Sequence, residues 1–463
     1  MNDHRQMTRW AHFANAILGL WLITAPLTLG YLDLDPESVA QGVLRVNAER
    51  DLLPLATRNW LMAASDIASG ALIVVFGLIS VSRRAGWAQW ATTFVGIWLL
   101  FAPLVFWTPS AAAYANDTLI GAFVIAFAIL VPTMPGMRSA ATADPADIPD
   151  GWDYCPSTWL QRAPMIALAL VGFFISRYLT AYQLGHVGRV WDPFFGDGTM
   201  KVIGSDMSRA WPVADAGLGA VTYLLEVLMG FMGDSRRWRT MPWMVVMFGI
   251  LIVPLGGISV FFIIIQPIVI GTWCALCLVG ASAMVIMLPY TLDEVFASVQ
   301  FLLQSRRQGA PLWRTFWRGG AQQGGGKRDG DPGFNAPPLN VVARMFTGGV
   351  NLPWTLLLVT AIGVWLMCTR IVFGTTGAMA DSDHLIGALA VTVAVSAMAE
   401  VVRPLRLINV AFGLWLIAAP WLLSGAGTLA TWGSMLAGVL MMIFSLPRGP
   451  VRQHYGAWDR YIF

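Results

Sequence analysis

The sequence predicts an all-α polytopic membrane protein with about twelve transmembrane helices. Of its residues, 57% are hydrophobic and only 12% are charged. Apolar runs of about 20 residues recur along the chain, and each is long enough to cross a hydrocarbon core of roughly 30 Å. Because one soluble core cannot bury so many helix-length runs, we expect the protein to be embedded in a lipid bilayer.

The candidate spans follow from these apolar runs. The first run begins near Ala14 and has no small-residue cleavage site, so we interpret it as a retained span and not as a signal peptide. Twelve spans are predicted, at roughly residues 13–31, 60–82, 88–107, 116–134, 162–182, 214–233, 241–264, 269–290, 352–373, 383–401, 405–424 and 430–446.

The distribution of lysine and arginine predicts how these spans are oriented. If the N-terminus is cytoplasmic, the C-terminus and the main basic clusters also fall on the cytoplasmic side. These clusters are Arg5/Arg9, Arg83/Arg84, Arg138/Arg162, Arg236/Arg237/Arg239, the segment from Arg306 to Arg344, Arg403/Arg406 and Arg448/Arg452/Arg460. The net charge of +3 is small, and we expect no nucleic-acid partner.

Four segments of similar sequence indicate an internal repeat. They are GLWLITAP (Gly19–Pro26), GIWLLFAP (Gly96–Pro103), GVWLMCTR (Gly363–Arg370) and GLWLIAAP (Gly413–Pro420). In three cases the following span carries Asp-x-x-x-Gly, which begins at Asp66, Asp117 and Asp383, and Ser434 takes this position in the fourth.

The repeated glycines and aspartates suggest structural roles. Glycine at helical spacing lets two backbones approach closely. An aspartate near the start of a span suits a helix N-cap, which is the role we predict, and the alternative is a path for protons or substrate. These segments resemble the SPW repeat family over residues of about 1–135 and 350–447, and the resemblance implies little about chemistry.

A pair of cysteines, Cys274 and Cys277, stands at the head of the eighth predicted span. On a helix this spacing places both thiols on one face, close enough to form a disulfide. The helix dipole and the free N–H groups at a helix N-terminus stabilise a thiolate. On the predicted topology the pair lies at the outer face, where disulfide chemistry is permitted. The pattern predicts a redox pair whose electrons pass to a lipid-soluble quinone.

The segment around this pair, about residues 160–300, resembles the vitamin K epoxide reductase (VKOR) family. The resemblance rests on the four-span layout, the tryptophan before the cysteine pair, KVIGS (Lys201–Ser205) and GLGAVTYLLEVLMG (Gly217–Gly230). It implies a four-helix bundle in which Cys274 and Cys277 pass electrons from an exported thiol partner to menaquinone or ubiquinone. Cys277 would attack the quinone, and Cys274 would exchange with the donor.

The same resemblance implies the surroundings of the site. The quinone would be bound by Asp215, Leu218, Tyr223, Trp273 and Ala281. The thiol donor would be a periplasmic thioredoxin-like protein or another thiol protein, and a partner within a membrane complex is a further possibility. The implied location is the bacterial inner membrane, with the cysteine pair at the periplasmic face and both termini in the cytoplasm.

The sequence also departs from the family pattern. Family members usually carry a second cysteine pair in the outer loop, whereas residues 184–214 contain none, and Thr199 lies near the expected position. One alternative is therefore a non-catalytic membrane scaffold or accessory subunit that retains the fold. Another is a transporter, for which Glu226 is the best intramembrane carboxylate. The alternative for Glu226 is a structural hydrogen bond to a neighbour.

The predicted organisation has three membrane domains. Residues 1–135 form an SPW-repeat membrane domain of four helices, 161–302 a VKOR-like four-helix domain, and 347–463 a second SPW-repeat membrane domain of four helices with a cytoplasmic tail. Cytoplasmic linkers join them at 136–160 and at the Gly/Arg-rich segment 303–346.

Several smaller features complete the prediction. Two cysteines supply half of a tetrahedral zinc site, so we predict no metal centre. The loop histidines His186 and His384 are expected to be solvated. In WDPFFGDG (Trp191–Gly198) we predict a tight turn, with a cradle for a cation or a sugar as the alternative. As a lid, this loop would place the rings of Trp191, Phe194 and Phe195 over Cys274.

Overall fold

The structure is a computed structural model, and every regular element in its described part is helical. Only two isolated bridges of strand type occur in the described residues, Trp152–Tyr455 and Val350–Ala399. The described residues are 8–32, 39–82, 85–132, 144, 146–322, 327, 329–330, 333–346, 348–425 and 427–462. Outside them lie several basic residues used above to predict orientation, namely Arg5, Arg83, Arg84, Arg138 and Arg328.

Within the described residues, the first half of the chain contains six long helices and three short ones. In chain order the helices are α1 (Arg9–Thr28), α2 (Gln41–Arg50), α3 (Leu55–Ser80), α4 (Gly86–Val105), α5 (Ala111–Ile125, continued by a π-helical turn Ala126–Leu130), α6 (Trp159–Gln183), α7 (Gly198–Ile203), α8 (Asp206–Arg209) and α9 (Asp215–Phe231).

The second half continues with long helices joined by short ones. These are α10 (Arg237–Thr240), α11 (Pro242–Ile265, continued by a π-helical turn Gln266–Ile270), α12 (Ala275–Arg307), α13 (Leu312–Arg318), α14 (Pro338–Met345), α15 (Trp354–Met367), α16 (Thr369–Val372), α17 (Gly377–Ser396), α18 (Ile408–Leu422), α19 (Thr428–Ser445) and α20 (Asp459–Ile462). Short 3₁₀ segments occur at Gly333–Asn335, Glu400–Leu407 and Gly456–Trp458.

Helices occupy the positions of all the predicted spans. Within the described residues, ten helices are long and apolar enough to cross a membrane. The other two positions are taken by α9, with 17 residues, and α15, with 14 residues. The expectation of an all-α polytopic membrane protein is confirmed.

The described chain forms two compact units. The first comprises Met1–Gly136, Ala169–Met232 and Cys274–Gly280, and the second comprises Met137–Leu168, Gly233–Trp273 and Ala281–Phe463. The domain boundaries given above remain a prediction.

Each repeat is a pair of helices that cross at two glycines. A Cβ atom on Gly19 would lie 2.6 Å from the carbonyl oxygen of Gly70, and one on Gly413 would lie 2.6 Å from that of Gly438. Real Cβ atoms do not approach a backbone oxygen so closely, so these crossings require glycine. The crossing pairs are Gly19–Gly70, Gly96–Gly121, Gly363–Gly387 and Gly413–Gly438.

The prediction that the repeat aspartates cap their helices is wrong. Asp66 lies well inside α3, and Asp117 lies inside α5, whose N-cap is Ser110. Asp383 likewise lies inside α17. The reason is that these helices begin about five residues earlier than the apolar runs indicate, because their first turns are less hydrophobic.

These aspartates instead form polar pairs between the repeats. Asp66 and Asp117 are both fully buried, and their carboxyl groups lie within reach of each other. Two carboxyl groups can share a hydrogen bond only if one carries a proton, because a carboxylate has no donor. In the C-terminal repeats the hydroxyl of Ser434 donates to Asp383 over 3.2 Å. A hydroxyl therefore replaces one acid of the pair.

The replacement leads to a prediction for the N-terminal pair. Asp117→Ser should change the stability little, since a serine hydroxyl can donate to Asp66 as Ser434 donates to Asp383. Asp117→Ala removes the partner of a buried carboxyl oxygen and should cost about 1–3 kcal/mol. Unfolding of both variants in detergent micelles would measure the difference. Equal losses would show that the shared hydrogen bond contributes nothing.

The second unit contains a buried ion pair that connects α10 with α12. Arg237 donates from Nε and Nη2 to the two carboxylate oxygens of Glu294, at 2.5 Å each. Glu294 also accepts from the hydroxyl of Ser157. Both members of the pair are almost completely buried. Arg237, which the sequence suggested only as an orientation signal, is thus a core residue.

A second buried polar cluster joins the end of the chain to this unit. Glu400 accepts hydrogen bonds from the backbone N–H groups of Arg452 and Gln453 and from the hydroxyl of Tyr455, and from Asn351. Burial and the neighbouring carboxylates raise the pKa of Tyr455, so its hydroxyl keeps its proton. The C-terminal segment is therefore part of the core.

Candidate active site

The cysteine pair stands at the N-terminus of α12. Cys274 directly precedes the helix, and the N–H of Cys277 points at its sulfur, with N and Sγ 3.0 Å apart. The two residues are joined by a disulfide with a Cα–Cα distance of 5.2 Å. A thiolate at Cys274 would meet this N–H and the positive end of the helix dipole, both of which favour the charged form.

The two cysteines differ in exposure. Cys274 is 0% exposed, whereas Cys277 is half-buried. Cys277 packs with Leu276 against an apolar cluster built from Leu179, Val190 and Ile203. Of the two, Cys277 is the residue that an approaching thiol reaches more easily. The expectation that Cys274 exchanges with the donor stays a prediction.

Asp215 is the first residue of α9, and its side chain accepts hydrogen bonds from the loop before the helix. Its Oδ1 accepts from the hydroxyl of Ser208 over 2.8 Å, from the N–H of Ala216 over 3.0 Å, and from the side-chain amide of Gln183. These bonds join α6, α8 and α9 at one end. Oδ2 takes no part in these bonds, and the guanidinium of Arg50 lies close enough to interact with the Asp215 carboxylate.

Tyr223 connects α9 to the cysteine-bearing helix. Its hydroxyl donates to the carbonyl of Gly280, three residues after Cys277, over 2.8 Å. Its ring packs so tightly on α6 that a Cβ atom on Gly172 would lie 2.4 Å from it. Leu218 lies earlier on the same helix and is half-buried. Tyr223 therefore fixes the spacing between α9 and the head of α12.

The remaining expected quinone contacts belong to the second unit. Trp273 is buried, and its ring meets the ring of His384 edge to face, with centroids 4.7 Å apart. Ala281 directly follows Gly280 on α12 and is half-buried. Of the expected site residues, five belong to the first unit, namely Cys274, Cys277, Asp215, Leu218 and Tyr223.

The expectation that the two histidines are solvated is wrong. His384 is buried, with Nε2 3.1 Å from the carbonyl oxygen of Ile263. His186 is half-buried, with Nε2 2.9 Å from the carbonyl oxygen of Thr108, and burial lowers its pKa. Both rings are used in packing because a carbonyl that would otherwise lack a donor lies next to each.

Glu226 is a polar residue of this site that the sequence did not single out for the thiol chemistry. It lies on α9, one turn after Tyr223, and is 1% exposed. Neither carboxyl oxygen has a hydrogen-bond partner in the described part of the chain. The hydrogen bond expected for Glu226 is therefore not found with any neighbour among the described residues. Its spacing of three residues from Tyr223 is the only sequence signal that connects it to the site.

The residues around Cys277 fit a quinone in chemical type. A quinone ring requires apolar walls, a nearby redox-active sulfur, and polar groups for its two oxygens. Leu218 and the ring of Tyr223 supply apolar surface, and the orphaned carboxyl of Glu226 supplies an unused polar group. When bound, the quinone would supply a two-electron acceptor. The residues Cys277, Leu218, Tyr223 and Glu226 would face it.

The loop WDPFFGDG forms the predicted tight turn. Asp192 accepts from the N–H groups of Phe194 and Phe195, and from both the N–H and the hydroxyl of Thr199. Trp191 and Phe194 are 67% and 80% exposed, so these rings do not cover Cys274. The expectation of a lid is wrong for these two rings, because most of their surface is exposed and little of it contacts the rest of the chain.

The turn should loosen in acid. Desolvation raises the pKa of Asp192, but the hydrogen bonds from Thr199, Phe195 and Phe194 outweigh it and hold the pKa below its usual value. The stabilisation is thus complete at neutral pH and is lost as the pH falls through the lowered pKa. Hydrogen exchange of the Thr199 amide should speed up there. Asp192→Asn should abolish this pH dependence, and Asp197→Asn should retain it.

Comparison with protein families is consistent with this geometry. Residues 163–292 match the family model described as Vitamin K epoxide reductase family. Residues 53–131 and 353–447 match the SPW repeat domain. The chain carries a VKOR-family region flanked by SPW repeats. No curated protein and no solved structure matches the chain.

The VKOR-family region holds the disulfide, Tyr223, Glu226 and Arg237, whereas Glu294, the buried partner of Arg237, lies just beyond the end of the match at residue 292. The SPW matches include three of the glycine crossings, from Gly96–Gly121 onward. The first crossing has only Gly70 inside the match, because Gly19 precedes residue 53. Its geometry nevertheless identifies α1 as the missing half of the first repeat.

Proposed function

We propose that the protein is a membrane thiol:quinone oxidoreductase of VKOR type. In this proposal the VKOR-family region forms a four-helix bundle, and Cys274 and Cys277 pass electrons from an exported thiol partner to menaquinone or ubiquinone. The observation that carries the proposal is the disulfide at the head of α12, with Cys277 half-buried beside Tyr223 and Leu218 of α9.

We base the order of the thiol steps on the exposure of the two sulfurs, and this order differs from the one that the family resemblance implies. A donor thiolate attacks Sγ of Cys277, a mixed disulfide forms, and Cys274 leaves as a thiolate. The N–H of Cys277 and the start of α12 stabilise this leaving group. The second thiol of the donor then attacks the donor sulfur of this mixed disulfide, and Cys277 leaves. The donor is released as a disulfide, and Cys274 and Cys277 are left reduced. Reoxidation of the cysteine pair passes two electrons and two protons to the quinone.

The proposal includes a location and partners. The protein lies in the bacterial inner membrane with both termini cytoplasmic and the cysteine pair at the periplasmic face. The donor is a thioredoxin-like or other exported thiol protein. Since residues 184–214 contain no cysteine, the donor must reach the pair directly. The SPW repeats are the surface offered to a partner in a membrane complex.

The test uses the full chain in lipid nanodiscs that contain menaquinone or ubiquinone. A reduced thioredoxin-like protein is added, and the thiol state of Cys274 and Cys277 is followed by alkylation and mass spectrometry. We expect the disulfide to open with the donor and to close again only when quinone is present, while quinone absorbance falls. A disulfide that stays closed, or quinone that stays oxidised, would overturn the proposal.

The missing loop cysteines favour a second candidate, a non-catalytic membrane scaffold or accessory subunit. In that case Cys274→Ser/Cys277→Ser should assemble normally and support the same phenotype as the unchanged chain. Loss of function in this variant, at normal abundance in the membrane, would exclude the scaffold.

A further inference from the structure

We propose that Glu226 is the proton-exchanging residue of this thiol:quinone site. The inference rests on the proposed function and assigns a role that the cysteine pair cannot fill. Its carboxyl group holds a proton inside the membrane, gives it to a quinone oxygen as the disulfide forms, and is then reprotonated.

The first argument is the isolation of the carboxyl group. Glu226 is 1% exposed, and both of its oxygens lack a hydrogen-bond partner within the described chain. Other buried acids are paired, as Glu294 is with Arg237, and Asp383 is with Ser434. A structural role for a buried carboxyl group requires such partners, because an unpaired one only costs free energy. Glu226 therefore has a role outside packing.

The second argument is position relative to the sulfurs. Helices α9 and α12 start at the same end, since Ala216 and Cys277 pack against one cluster. Further along they meet where Tyr223 bonds to Gly280. Gly280 lies three residues after Cys277, and Glu226 lies three residues after Tyr223. With a rise of 1.5 Å per residue, Glu226 therefore lies about 9 Å beyond Cys277 along the helix direction. A quinone ring bound next to Cys277 would therefore lie between that sulfur and the carboxyl group.

The third argument is the proton balance of the reaction. When two thiols close to a disulfide they lose two electrons and two protons, and the quinone takes up both to become a quinol. The sulfurs release their protons at the head of α12, whereas the quinone oxygen farther from them would need another proton donor. A neutral carboxyl group there can donate one proton and recover one of those that the thiols lose.

Tyr223 lies between the two positions. It lies on α9 three residues before Glu226, and its ring packs against Gly172 of α6. Its hydroxyl donates to Gly280, which leaves lone pairs on the phenolic oxygen free to accept. Tyr223 is therefore a positioning residue that keeps the route between the sulfurs and Glu226 at a fixed length.

The test combines a labelling experiment with kinetics in nanodiscs. Dicyclohexylcarbodiimide, which reacts with protonated carboxyl groups in apolar surroundings, should modify Glu226 but not the paired Glu294, as read by mass spectrometry. Added quinone should reduce the labelling at Glu226 severalfold. Glu226→Gln should slow quinone reduction about a hundredfold, the lower end of the effect of a positioned acid. Glu226→Asp should restore part of the rate.

The controls separate this inference from the proposed function. Opening of the disulfide by the reduced donor should be unchanged in Glu226→Gln, which also shows that the variant is folded. If Glu226→Gln reduces quinone at the original rate, or if quinone does not protect Glu226 from labelling, the inference is overturned and the oxidoreductase stands. If the unchanged chain reduces no quinone, the proposed function and the inference both fall.

Discussion

Replacing Arg237 by alanine should destabilise the folded protein by about 3–5 kcal/mol. The variant leaves the carboxylate of Glu294 buried without its bidentate partner, at a site that is almost completely shielded from solvent. The measurement is unfolding in mixed micelles with a rising fraction of sodium dodecyl sulfate, followed by tryptophan fluorescence.

The neighbouring arginine provides the control. Arg236 pairs with Asp234, whose side chain is 49% exposed, and Arg236→Ala should cost at most about 1 kcal/mol. The double variant Arg237→Met/Glu294→Leu removes both charges and should recover most of the loss. Similar effects of Arg236→Ala and Arg237→Ala would contradict the assignment of Arg237 to the core.

Serine at either cysteine of the pair should reduce thiol:quinone turnover by about a thousandfold or more, because the exchange requires both sulfurs. The single variants should differ in a second measurement. With Cys274→Ser, the half-buried Cys277 should react readily with a water-soluble maleimide. With Cys277→Ser, the fully buried Cys274 should react slowly.

The labelling requires a suitable background. Cys368 is half-buried, so the variants are made in a Cys368→Ser chain, which should itself retain full turnover. Cys155 is buried and donates to the carbonyl of Ser235, and burial raises the pKa of its thiol, so it contributes little labelling. Equal rates for the two single variants would contradict the order of thiol steps proposed above.

The sequence predicted the helices and their crossings because those features depend on local pattern. Apolar runs of sufficient length determine where a chain can cross a membrane. The repeated glycines indicated close backbone contacts, and Gly413 and Gly438 show them. Helix ends were predicted less well: α12 continues to Arg307, beyond its apolar part, because nothing in the hydrophobic pattern marks the end of a polar helical extension.

The site was predicted only in part, because its chemistry depends on contacts between distant segments. The spacing of Cys274 and Cys277 is local and indicated the disulfide. The partner of Arg237 lies 57 residues away, so the sequence showed only a basic cluster. For Glu226 the informative property is the lack of a partner within the described chain, and no local pattern can indicate that.

The hydrogen bonds around Glu400 have a consequence for biosynthesis. Its carboxylate is synthesised about fifty residues before the groups that satisfy it, the amides of Arg452 and Gln453 and the hydroxyl of Tyr455. Until those residues leave the ribosome, the nascent chain must keep this acid hydrated or screened. Insertion into the bilayer and completion of the fold are thus separate events. A chain truncated before Arg452 would stay incompletely folded and would be degraded by quality-control proteases.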